Sequence, residues 1–318
     1  MIVDKRLINL SSTTGIKQNG LKNSNIQYDF PNLLTAQPDI IYAEIGVVSA
    51  EIPVSFYTVN EFNNTLNIIW SPLAPPPPSA NYLITIPQGN YSATTFLTEL
   101  VTLIYTAVGF GGSLVDWLSI TINKSTGRLL WVADMAIIGD FQLIQSGSTC
   151  WYIIGGGDTA VYPFTLLLPS QILDHPLTLL GTNKITIATD NLNTYSYDSH
   201  TGGFSNILAS IEVDAPAFGI VLYKNASITY NILRVLAIQQ FSIELKDDFR
   251  RYIDFNNVEW TITLSLNIHR HVPKLSSLTF KELLEKHNTD TTPPHLEEKK
   301  GDIKEPDKDK KDLDMLTS

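Results

Sequence analysis

The sequence predicts an all-β chain, folded as a two-sheet sandwich or jelly roll with one inserted helix. Three observations carry this reading. Apolar residues recur with a period of two over most of the chain, which is the strand signature. Gly, Pro, Asn and Ser punctuate it into about ten short strands. Helical spacing is convincing in a single internal segment, and no strand–helix alternation supports an α/β enzyme fold.

In chain order, residues 1–37 mix Ser, Thr, Gly, Asn and Lys without a period and read as an N-terminal arm. Alternation begins at Ile41/Ala43/Ile45/Val47 and resumes at Tyr82/Ile84/Ile86. Between these strands Pro75–Pro78 reads as polyproline II in a loop, because proline cannot donate to a ladder. Ser92 is a good N-cap; Phe96, Leu97, Leu100, Val101 and Ile104 then recur at helical spacing until Gly109 ends the run. Leu118/Ile120/Ile122 and Leu129–Val132 flank Asn123–Gly127, a hairpin loop in which Gly127 can take the positive φ required. Ile207/Ala209/Ile211/Val213 and Phe241/Ile243/Leu245 are further strands. In Val258–Ile268 every even position is apolar and every odd one polar, which sends one face to a core and the other toward solvent.

The C-terminal stretch differs. Ser277–His287 reads as a short helix with a Thr279/Glu282 capping pair and an apolar edge of Phe280, Leu283 and Leu284. From Asn288 to Ser318 there are nine acids, six lysines and three prolines, with almost no large apolar residue. Such a stretch cannot bury enough surface to offset its ordering entropy and reads as a disordered tail.

Composition excludes several function classes. The net charge of −10 leaves no electrostatic footprint for a phosphate backbone, so the body is not expected to bind nucleic acid. A single cysteine, Cys150, excludes a disulfide framework and any thiolate cluster. No window approaches the length of a membrane span, and no apolar run near Met1 suits a signal peptide, so a reduced, unsecreted protein is expected. The Asn-x-Ser/Thr sequons at Asn63, Asn90, Asn123 and Asn225 then follow from composition alone. Charged residues make up 17%, against roughly 25% in an average domain, which suits a protein whose flanks are covered by neighbours.

No catalytic, metal or cofactor constellation rises above the ordinary reading of its residues. Gly155–Asp158 lacks the Lys-Ser/Thr of a phosphate loop and reads as a flexible loop. His269 and His271 share the outward face of the last strand, but only Asn267 stands near as a third ligand. Asp247, Asp248, Asp254 and Glu259 could in principle do acid/base work on a sugar; they read instead as a polar turn joining two strands. Cys150, before Trp151 in an apolar segment, reads as a small core residue rather than a nucleophile. Trp70, Tyr195 and Tyr197 are the loop aromatics that could stack on sugars.

Five segments in fixed order carry a resemblance. They are Ala50–Asn60 with Phe62–Thr65, Ile84–Tyr91, Trp151–Gly155, Ile211–Pro216 with Phe218–Gly219, and Asp254–Leu264. Together they resemble the penton and minor capsid proteins of virophages, polinton-like viruses and related large DNA viruses. Asn257 stands where that family often has glycine, and the Glu212–Asp214 stretch lacks the family's proline. The resemblance covers roughly residues 40–268 and implies a single vertical jelly roll; with the chain's own pattern this gives an arm over 1–37, a jelly-roll domain over 38–272, and a short helix with a disordered tail over 273–318. It further implies a structural virion protein without catalysis or cofactor, located in the capsid and made in the host cytoplasm or virus factory. Its partners would be itself, as a homopentamer at the vertices, and neighbouring major or minor capsid proteins. A minor capsid cement protein and a carbohydrate- or receptor-binding vertex spike are the alternatives.

Overall fold

The computed structural model describes residues 1–18, 23–72, 80–109, 117–136, 138–190, 192, 194, 197–198 and 202–271. Pro75–Pro78, Tyr195, the expected helix Ser277–His287 and the charged tail lie outside the described residues.

The chain opens with β1 (Ile2–Ser11), β2 (Ile16–Lys17), β3 (Asn25–Leu34) and β4 (Ile40–Pro53). A second group follows: β5 (Thr65–Pro72), β6 (Ala80–Thr85), α1 (Ala93–Val108), β7 (Leu118–Ile122), β8 (Arg128–Ala133), β9 (Ile138–Ile144), β10 (Val161–Phe164) and β11 (Ser170–Pro176). The last group is β12 (Lys184–Ala188), β13 (Tyr197–Asp198), β14 (Gly203–Phe204), β15 (Ile207–Glu212), β16 (Ile220–Lys224), β17 (Asn231–Ile232), β18 (Ile238–Lys246) and β19 (Thr261–Arg270).

The first and last groups build one sandwich. Its sheets run β1-β19-β4-β16 and β15-β12-β18-β3, with β2 added beside β3 and β17 beside β4. Counted along the chain, its eight long strands fall as first-eighth-third-sixth in one sheet and fifth-fourth-seventh-second in the other, all pairs antiparallel. That order is a jelly roll. The even positions Ile262, Leu264, Leu266 and Ile268 of β19 are buried against Ile243 and Leu245 of β18 and Ile45 and Val47 of β4, within one core. Each such side chain contributes about 1.5–3 kcal/mol.

Residues 1–37, expected as an arm, carry two of those eight strands. β1 pairs with β19 from Ile2↔Arg270 to Ser11↔Thr261, and β3 pairs with β18. Ile8, Leu10, Ile26, Tyr28 and Leu34 are buried in the core. Trp260 Nε1 donates to the carbonyl of Asn23 at 2.6 Å and anchors the connection between them. The jelly roll therefore draws on chain before residue 38, and it is interrupted between β4 and β12.

That interruption is larger than the single inserted helix expected. Residues 59–173 fill a second core, with Trp117, Trp131, Trp151, Phe141 and Leu143 fully buried. It lies within sheets β10-β9-β5-β6 and β11-β8-β7, with α1 packed on them. α1 is bounded as the sequence predicts: Ser92 and Thr95 form a reciprocal capping pair, and Gly109 closes the helix at φ +68°. Phe96, Leu97, Leu100 and Ile104 face the core. The hairpin β7–β8 turns at Asn123–Gly127, with Gly127 at φ +69°.

The odd face of β19 is not left to solvent over its whole length. Ser265, Asn267 and His269 are buried, because the segment leading into β17 is laid across this side of the sheet. Tyr230 OH donates to Ser265 Oγ at 3.2 Å, and Ile228 stands over Gly46 of β4.

Candidate functional site at the joint of the two β bodies

The segment after Pro53 leads out of the jelly roll, and three of the other four resemblance motifs bond to it there. Val54 exchanges backbone hydrogen bonds with Phe218 and Gly219, at 2.8 and 2.9 Å. Ser55 Oγ donates to the Phe255 carbonyl at 2.7 Å, and Asn256 Nδ2 donates to the Ser55 carbonyl. Asn256 and Asn257 hold positive φ, so Asn257 takes the left-handed conformation expected of it. Thr58 N–H donates to Asn90 Oδ1 at 2.9 Å, while Val59 and Gly89 exchange backbone bonds at 2.9 and 3.0 Å. Asn63 Oδ1 accepts from Asn60 N–H at 2.7 Å and its Nδ2 donates to the Thr58 carbonyl; Asn64 Nδ2 reaches the Ile86 carbonyl. The side-chain amides and hydroxyls of Ser55, Asn60, Asn63, Asn64 and Asn256 bond to backbone groups. They define a shape, and none is set up as a nucleophile.

Gly155–Gly157, read from sequence as a flexible loop, is buried and tightly packed. Trp151 Nε1 donates to the Gly157 carbonyl at 3.0 Å, and His175 N–H donates to the Gly155 carbonyl at 2.8 Å. Gly155 has φ +89°, and a Cβ there would stand 2.1 Å from the His175 carbonyl oxygen. Only glycine fits.

A cleft of about 550 Å³ opens between the two β bodies beside these motifs. The inserted body supplies Thr149, Tyr152, Ile153, Thr178 and Leu180; the jelly roll supplies Asn183, Asp247, Asp248, Phe249 and Arg251. Arg251 is fixed by Asp247, with Nε donating at 2.8 Å and Nη2 at 2.7 Å, and its guanidinium lies 4.6 Å over Phe62 and 4.7 Å over Phe249. Asp248 Oδ2 accepts from Asn183 N–H at 2.8 Å. Next to the cleft, burial and the Glu244 carboxylate, which accepts from Tyr252 OH at 2.6 Å, push the Tyr252 phenol up to about 12.

The sequence candidates fall as follows. Asp247 and Asp248 line this cleft, and Asp254 caps the N–H of Asn256 in the turn, so three of the acids build the turn as read. His269 is buried on β19, stacked on Tyr42 with ring centroids 4.1 Å apart and 3.1 Å from Glu44 Oε1; His271 is exposed and only its backbone bonds Asp39. Among the described residues no three His, Cys, Asp or Glu side chains are grouped to hold an ion. Cys150 is fully buried, and burial pushes its thiol up to about 12. Trp70 is not a loop aromatic: it sits in β5, inside the second core. Tyr197 is exposed on the β13–β14 hairpin, stacked on Phe204. The cleft aromatics Tyr152 and Phe249 were not singled out by sequence. The available signal was an aromatic flanked by charges in the run Asp247-Asp248-Phe249-Arg250-Arg251.

Among the described residues no helix is long and apolar enough to cross a membrane. No family model matches the chain, and no curated protein matches it. Among solved structures it is similar to the mavirus penton protein, at 9% identity and a TM-score of 0.47, over 84% of this chain and 100% of that one. It is also similar to a chain of the Sputnik virophage, at 11% identity and a TM-score of 0.40, over 84% of this chain and 98% of that one.

Proposed function

We propose that this chain is a structural virion protein, a capsid penton that assembles as a homopentamer at icosahedral vertices and meets neighbouring capsid proteins there. One observation carries the reading. The sheet β1-β19-β4-β16 exposes apolar side chains on both of its edge strands: Ile2, Val3 and Leu7 on β1, and Ile220 (58% exposed) and Leu222 (64%) on β16. β1 also carries Asp4, Lys5 and Arg6, charges of the kind by which a sheet edge resists further strand pairing, so these exposed apolar side chains mark a packing contact rather than an added strand. A closed ring needs two different surfaces per subunit, one at each flank, in a heterologous contact. The use of the family-like motifs as joints, with their polar groups bonded to backbone, supports a shape-giving role over a catalytic one.

The ring contact should exceed about 1,000 Å². The charge of −10 per chain opposes association, and at physiological salt its repulsion reaches only about 8 Å. Assembly therefore strengthens with added salt. Native mass spectrometry at increasing ionic strength tests this, with Leu222→Lys expected to disperse the ring. A wild-type monomer or trimer at high micromolar concentration would favour the cement-protein reading.

A further inference from the structure

The cleft at the joint has a lining that the shell-subunit reading does not use. We propose that it binds a neutral, hydroxyl-rich ligand, a short uncharged oligosaccharide. The cleft's volume of about 550 Å³ lies inside the roughly 300–1,000 Å³ range of small-molecule sites. Two rings line it while standing open to water: Tyr152 is 66% exposed and Phe249 is 73% exposed. Leaving large rings exposed beside a concavity is unfavourable unless something covers them, and the C–H face of a sugar is a flat apolar surface of matching size.

The charges select against other ligands. Among the described residues lining the cleft the charged groups are Arg251, Asp247 and Asp248. Arg251 is neutralised by Asp247, and with Asp248 beside them the lining carries one net negative charge, which disfavours a phosphate, sulfate or carboxylate. Asp248 accepts from the Asn183 backbone at Oδ2, and as a carboxylate it can accept from further hydroxyl donors. An anionic ligand would meet that carboxylate unscreened. A lipid would strand the Thr182 hydroxyl and the Asn183 amide that share the lining. A sugar satisfies all of them: hydroxyls donate to Asp248 and accept from Asn183, Thr182 and Tyr152.

The same Arg251 makes the site rigid. By holding Phe62 and Phe249 with one guanidinium, itself fixed by Asp247, it orders the ring wall before a ligand arrives, which removes part of the entropy cost of binding.

The test uses the full chain in its native assembly on an array of neutral oligosaccharides, with sialylated and sulfated glycans as a second arm. Wild type should bind members of the neutral arm. Tyr152→Ala and Phe249→Ala should each weaken that binding about tenfold, the loss expected of one stacking contact. Asn183→Ala should weaken it as well. All three residues are exposed, so the fold is not at stake, and Leu167→Ala, on the Thr165–Leu168 turn outside the lining and 96% exposed, should bind as wild type does. Wild type that binds no neutral glycan overturns the proposal. So does binding confined to the anionic arm, or neutral-glycan binding indifferent to Tyr152→Ala and Phe249→Ala. Protection of Tyr152 and Phe249 by a neighbouring subunit in the assembly, seen by hydrogen exchange together with no glycan binding, would assign the cleft to a protein contact instead.

Discussion

Gly155→Ala is the sharpest test of the packing around the inserted body. Two costs act at once. At φ +89° an alanine sits outside the conformations open to L-residues, which costs about 1–3 kcal/mol. Its Cβ would also stand 2.1 Å from the His175 oxygen and 3.0 Å from the His175 carbonyl carbon, both backbone atoms, so no rotamer change relieves the clash. Roughly 1 Å of backbone displacement is needed. That strains the His175 N–H···O=C Gly155 bond of 2.8 Å, at about 1 kcal/mol per hydrogen bond, and over-packs a filled core for about 1–3 kcal/mol. The sum is about 3–7 kcal/mol, or on the order of 10 °C in melting temperature for a body of this size. Gly109→Ala is the internal control: φ is also positive, at +68°, but nothing lies within 4 Å of the added carbon, so only about 1 kcal/mol is lost. Scanning calorimetry of both variants separates conformation from contact. If the two melt within about 2 °C of each other, the tight packing inferred for Gly155–Gly157 is wrong.

Two further outcomes follow from the fold. Deleting residues 1–37 removes the buried Ile8, Leu10, Ile26, Tyr28 and Leu34. At about 1.5–3 kcal/mol each, that loss equals the whole stability of an ordinary domain. The truncated chain should fail to give a cooperative melt by circular dichroism, and one that melts like wild type would return this segment to the status of an arm. The second concerns alkali. Burial raises Cys150 and Tyr252 to about 12, and raises Tyr28 as well. Each group stays protonated in the fold, while in the unfolded chain the thiol begins to lose its proton near pH 8 and the phenols near pH 9. The stability they contribute is complete below that range and is lost as pH rises toward 12. Urea midpoints should therefore fall steadily from pH 8 to 11, and Cys150 should resist alkylation until the chain unfolds; a flat profile contradicts both.

Legibility in the sequence followed the range of the interactions. The capped helix α1 and the β7–β8 hairpin are set by residues a few positions apart, and both read correctly. The period-two pattern of β19 also identified its core face. The pairing of β1 with β19, Ser11 to Thr261, spans the whole body and leaves no local trace. β1 was harder still because Asp4, Lys5 and Arg6 interrupt its alternation. His269 illustrates the limit of parity: its facing was right, but the strap containing Tyr230 that buries this side of the sheet is invisible in the strand's own pattern. The cleft combines Tyr152 with Phe249, which belong to different bodies and meet only after both have folded. The separate second core was missed for a related reason. Short strands alternate alike whichever sandwich they join.

Gly181 rests against Thr58, with an added Cβ only 3.1 Å from Thr58 Cγ2. The chain thus leaves the barrel and comes back to it at almost the same point. Since loop closure depends only weakly on what lies between two fixed ends, the barrel is indifferent to the length of its passenger. It behaves as a socket. Thr58 and Gly181 therefore mark the two points at which the passenger could be shortened or exchanged at a small closure cost, provided that its contacts back to the barrel, such as Phe62 under Arg251, are kept or replaced.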